Sequence, residues 1–280
     1  MTGTLSTPVP DTVALDPNRH VPGARDPGFA QTVRAEWVKF WSVRSTPWSI
    51  GALVALGAGL TVLVCAVSAA DLAEGTTGEA AGSFITWGMT VAQITAIVLG
   101  ALVVTSEYGT GMIRATLTAT PHRGRVLAAK ALVLTGTLFV AGTVTAVLGY
   151  LGGNWFLERE GIGLALSDDG VLRSLLGSGL YMAGIGLLAA AVGLLVRHTA
   201  AALSIVLALL LVVGNMVMLL PGAWGEWATK LMPGNAGSVV ATPVSFNPDL
   251  LDPWTGFAVF CAEVAAVLLA GYLVLRRRDA

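Results

Sequence analysis

Charge is scarce in this sequence. Only 12% of its 280 residues are Asp, Glu, Lys or Arg, about half the share found in ordinary soluble domains. Cysteine and histidine are scarcer still. Cys65 and Cys261 lie inside apolar blocks, where a thiol acts as a small hydrophobe, and His20, His122 and His198 stand alone, so there is no Cys/His spacing of the metal-binding type. The chain has no Gly-x-x-x-x-Gly-Lys-Ser/Thr phosphate loop and no His-Glu-x-x-His pair. Leu176-Gly177-Ser178-Gly179 lacks the first glycine of an intramembrane serine protease's Gly-x-Ser-Gly. Neither catalysis nor ATP hydrolysis is therefore expected of this chain, and no nucleic-acid partner is expected.

What is present is apolar. Hydrophobic residues make up 55% of the sequence and mean hydropathy is +0.75. They come in long uninterrupted blocks rather than the alternating segments of about 10 residues that a membrane β-barrel needs. A helix needs about 20 apolar residues to cross the hydrocarbon layer, and only helices satisfy the backbone within such a segment. The pattern predicts an all-α, polytopic membrane protein with six transmembrane helices, over about 47–70, 84–105, 131–152, 174–196, 200–220 and 255–275.

Residues 1–28, with Pro8, Pro10, Pro17 and Pro22 among polar residues, read as a disordered tail without the features of a signal peptide. Over 29–44 the aromatic residues Phe29, Trp37, Phe40 and Trp41 recur at helical spacing with Val33. This predicts an amphipathic helix lying at the membrane surface as the first element of a six-helix domain over 29–280.

The connections alternate in charge. Arg34, Lys39 and Arg44, then Arg114, Arg123, Arg125 and Lys130, then Arg197, then Arg276, Arg277 and Arg278 fall on one side of the predicted bundle. Acidic residues such as Asp71, Glu79, Glu158 and Asp252 dominate the other. The positive-inside rule then places both termini in the cytoplasm of a multi-pass protein of the cell membrane. Trp48, Trp87, Trp155, Trp224, Trp227 and Trp254 fall near predicted span ends, as an aromatic belt in contact with membrane lipid requires. The segment from Pro221 to Trp254 has the length and aromatic content for a short helix dipping back into the outer leaflet.

The most informative connection runs from Ser106 to Lys130. Gly109 and Gly111 permit tight turns, a short helix is expected over 112–119, and Pro121 ends it. On these residues alone the segment reads equally as a docking element for a soluble partner or as an ordinary basic loop. Glu107-Tyr108 followed by Gly111, Arg114, Leu117, Pro121, Arg123 and Lys130 resembles the corresponding loop of ABC-2 type permeases, the membrane subunits of one class of ABC transporters. The surface helix, the six spans and the long connection before the sixth are similar too, so the resemblance covers roughly 29–278. It implies a coupling loop over Glu107–Arg123, including Gly109, that contacts a separate ABC ATPase. It also implies a second permease copy, identical or related, with export as the usual direction. ATP and Mg²⁺ would be used by the partner ATPase, with no cofactor in this chain.

Within the spans, Glu263 stands out because a carboxyl at such depth is costly and by default functional. It leaves open an ion-coupled carrier or channel needing no ATPase; a membrane anchor or sensor is a third possibility. Gln93 and Asn215 are weaker candidates, since neutral amides often join neighbouring helices.

Overall fold

In the computed structural model, residues 28–76, 78–109, 123–247 and 249–277 are described. Among them there are helices and short connections but no β-strand. Helix α1 (Phe29–Ser42) precedes α2 (Ser45–Ala73), α3 (Met89–Gly109), α4 (Arg123–Arg159), α5 (Val171–Val196) and α6 (Thr199–Val217). Two short helices, α7 (Gly222–Leu231) and α8 (Pro233–Ser238), lead to α9 (Pro253–Arg277). Six helices, α2 to α6 and α9, are long and apolar enough to cross a membrane. The protein is all-α with six membrane-type helices. The N-terminal tail and the short helix expected over 112–119 lie outside the described residues, as do Gly111, Arg114, Leu117 and Pro121.

Two span boundaries differ from those read from hydropathy. The second helix starts at Met89 rather than 84. Apolar Phe84–Gly88 is held in turns, with Trp87 N–H donating to the Phe84 carbonyl and Met89 N–H to that of Thr86, both at 3.0 Å. Gly88 N–H donates to Thr61 Oγ1 of α2 at 3.0 Å, so the neighbouring helix fixes this stretch in place. The third helix runs well beyond its apolar stretch at both ends, to 37 residues. At 1.5 Å per residue that is about 55 Å, against about 30 Å of hydrocarbon.

Helix α5 is the central pillar: 72% of its most apolar stretch is buried, against 22% for α2, α6 and α9. It packs on α3, α4 and α9 around Met182, Ile185, Leu188, Leu138, Ile97 and Phe260. Lipid is as apolar as these side chains, so close backbone approach rather than water exclusion must hold the helices together. A Cβ at Gly100 would overlap the carbonyl oxygen of Gly186, which brings α3 and α5 to backbone contact. The glycines of α5 at 177, 179, 184 and 186 all meet atoms of this same chain, so they serve internal packing.

The connection before α9 contains the two short helices α7 and α8. Trp224 and Trp227 on α7 point outward, exposed. The part that enters the bundle is α8 and the turn after it, where Ala236, Val239, Val240 and Ala241 are buried. Arg173 at the start of α5 holds this turn by donating to the carbonyls of Val239 and Pro243, each at 3.1 Å.

Candidate functional site

Four charged side chains from three helices form one connected network. On α1 the buried residues Thr32, Glu36 and Phe40 follow a spacing of four, a single helical stripe facing the bundle. Glu36 in that stripe accepts from Lys130 of α4, with Nζ to Oε2 at 2.7 Å. Lys130 also donates to Glu107 Oε1 of α3 at 2.6 Å. The same Glu107 oxygen accepts from Lys39, one turn along α1 from Glu36. The chain of contacts is therefore Lys39–Glu107–Lys130–Glu36, with alternating sign and no net charge. The Glu107 side chain is only 2% exposed, whereas that of Lys39 is 26% exposed.

Burying charge at this level is tolerable only because each group has a partner; an unpaired buried ion costs several kcal/mol. Glu107 is also near the C-terminus of α3, where the helix dipole opposes a carboxylate. The two ammonium groups offset both penalties. An apolar crevice of about 90 Å³ runs beside the network, between Phe40 of α1 and Val43 just after it on one side and Leu99, Leu102 and Val133 of α3 and α4 on the other.

The network lies where α3 ends and α4 begins, at the two roots of the loop read as the coupling element. The other described loop residues are anchored there too. The Arg197 guanidinium lies over the Tyr108 ring at 5.0 Å, and Arg197 itself is a left-handed residue (φ 58°) between α5 and α6. Arg123 Nη1 donates to the Leu275 carbonyl of α9 at 2.5 Å. Gly109 is the last residue of α3, with open space around it. Glu107, Tyr108 and Arg123 thus face their own bundle.

At the opposite end of the helices, packing joins two residues that are far apart in sequence. Gln93 and Asn215 both line a cavity of about 200 Å³ bounded by α3, α5, α6 and α8. Gln93 Oε1 accepts from the fully buried Tyr181 hydroxyl at 2.8 Å, so this amide does join two helices. Asn215 does not: its Nδ2 donates to the Leu211 carbonyl of its own helix at 2.6 Å. Residues Ala208–Val213 immediately before it are π-helical, a local slip that often marks functional sites. Glu263 belongs to neither group. It is half-buried midway along α9, and its Oε2 has no hydrogen-bond partner among the described residues.

The sequence reading missed Glu36 and Tyr181. The only sequence signal for Glu36 is its place between Thr32 and Phe40, a stripe that competes with the more conspicuous aromatic one. Neither protein-family models nor curated proteins give a match to this chain.

Proposed function

We propose that this chain is a permease subunit of an ATP-driven exporter of the ABC-2 type, acting with a separate ATPase and a second permease copy. The charge distribution supports a cell-membrane protein with both termini, α1 and the 110–122 loop in the cytoplasm. The observation that carries the reading is the ion network at the loop's roots. Glu107 and Lys130 flank the loop in sequence, bind each other, and are both tied to α1. A partner pressing on the loop would move α1, α3 and α4 as one unit.

In this reading the buried carboxylate of Glu107 positions the loop, and Tyr108 and Arg123 do the same through Arg197 and Leu275. Contact with the ATPase falls to the residues between them, Arg114, Leu117 and Pro121. ATP and Mg²⁺ are bound by the partner, whose two conformations must hold the loop differently for any shift to be transmitted. The test is co-expression with a phosphate-loop ATPase that has no spans of its own. The complex is expected to co-purify, and Arg114→Ala to assemble while ATP hydrolysis no longer drives transport.

A second reading rests on Glu263, whose carboxyl has an unpartnered oxygen midway along a membrane-type helix. Transport by the purified chain in liposomes, driven by an ion gradient without ATP and abolished by Glu263→Gln, would establish that reading and remove the first.

A further inference from the structure

The cavity between α3, α5, α6 and α8 carries an inference about what the protein binds. Among the described residues, no acidic or basic side chain lines it. A charged group placed there would lose its hydration without gaining a counter-charge, which is prohibitive in an apolar surrounding. Neutral hydrogen-bonding groups, by contrast, are concentrated on its walls. Thr86 is 3% exposed, and its Oγ1 has no hydrogen-bond partner among the described residues; a buried hydroxyl left unsatisfied is unusual and calls for an explanation.

Asn215 and Asn235 each commit their amide N–H group to a backbone carbonyl, that of Leu211 and that of Thr229 at 2.9 Å. Their side-chain oxygens remain as acceptors. Gln93 donates to the Thr90 carbonyl at 2.7 Å, and an amide nitrogen carries a second N–H. Donors and acceptors are thus both on offer, and all are neutral. Further neutral hydroxyls come from Thr90, Ser238 and Thr242, and Met89, Leu210 and Leu211 supply an apolar part of the wall. Leu210 and Leu211 belong to the π-helical segment, in which Val212 is exposed on the lipid-type surface, as is Met216 just beyond it.

We infer that this cavity binds the uncharged, hydroxylated head group of an amphiphile, with its apolar tail leaving along α6. Its role as a cargo site rests on the exporter reading; its binding chemistry rests on the cavity alone. A volume of about 200 Å³ holds a sugar-sized group.

The test uses the full chain in lipid nanodiscs, without ATP or ATPase. In a Cys261→Ser background, with Cys65 buried, Ser238→Cys reports on the cavity through its rate of maleimide labelling. Three amphiphiles of equal chain length are compared at concentrations that leave the disc intact: octyl glucoside, octyl sulfate and octyltrimethylammonium. Octyl glucoside is expected to slow labelling while the two charged amphiphiles do not. Adding Thr86→Val and Asn215→Leu is expected to weaken that protection about tenfold, the loss of one or two neutral hydrogen bonds.

Equal protection by all three, no protection by octyl glucoside, no labelling at all, or protection unchanged in the double variant would each overturn the inference. The comparison among amphiphiles stands even if the double variant folds poorly. Because no ATPase is present, a negative result leaves the exporter reading intact. A positive result combined with gradient-driven transport would keep the site and remove the exporter.

Discussion

Glu36 of α1 and Glu107 of α3 meet on one ammonium group, that of Lys130, at 2.7 and 2.6 Å. Two carboxylates this close repel unless the cation between them is in place. Lys130 is therefore the group on which the attachment of α1 depends, and Lys39 reinforces it from the more exposed side.

Lys130→Met removes that cation and leaves two buried carboxylates facing each other. A loss of about 3–5 kcal/mol is expected, as for breaking a buried pair from one side, read as a lowered unfolding midpoint in detergent. Neutralising all three positions (Lys130→Met, Glu36→Gln, Glu107→Gln) should recover most of it, since only the partly exposed Lys39 is then left without its carboxylate. Full stability in Lys130→Met alone would show that the network carries little.

Lys39→Ala should cost far less, about 1 kcal/mol or under, because a partly exposed ammonium is screened by solvent. The same midpoint measurement ranks the two lysines. A larger loss for Lys39 than for Lys130 would reverse the order of burial argued above.

Gly100→Val and Gly136→Val place the same side chain in two long helices. At 100 the new atoms overlap the Gly186 carbonyl, whereas nothing lies within 4 Å of a Cβ at 136. A penalty of about 1–3 kcal/mol or more is expected for the first and little for the second. Similar midpoints for the two variants would contradict the close approach of α3 and α5.

Orientation is open to direct labelling. Ser42 and Glu160 are both exposed and fall on opposite sides of the charge distribution. In a Cys261→Ser background, an impermeant maleimide applied to intact cells should label Glu160→Cys and spare Ser42→Cys until the membrane is opened. The reverse pattern would place α1 and the 110–122 loop outside and leave no role for a cytoplasmic ATPase.

The six long helices were legible because hydropathy sums over about 20 residues, and a few misplaced ones do not alter the sum. Their ends were less legible. Lipid contact selects for apolar residues only within the hydrocarbon, so the polar turns at either end of α4 left no hydropathy signal. The network was hidden for another reason. Glu36 looks like a solvent-facing residue beside Trp37, and only the packing of α1 on α4 turns it inward. In the sequence, Gln93 and Asn215 are two separate polar residues within different spans. Their shared cavity is lined in part by Leu210 and Leu211 of the π-helical segment Ala208–Val213, which no residue type marks in the sequence. Glu107 was legible as part of a motif, while its burial was not, since that depends on lysines contributed by two other helices.

Helix α4 joins these ends physically. It starts at Arg123, where the loop returns to the bundle, and runs unbroken to Arg159. A rod of about 55 Å that tilts by about 5° around its middle carries each tip roughly 2 Å, in opposite directions. Lys130 lies near one tip and Asn154, which holds the next connection by accepting from Leu164 N–H at 2.8 Å, near the other. A push at the loop would thus arrive on the far side of the bilayer as a swing of opposite sense, with no helix having to bend or unwind.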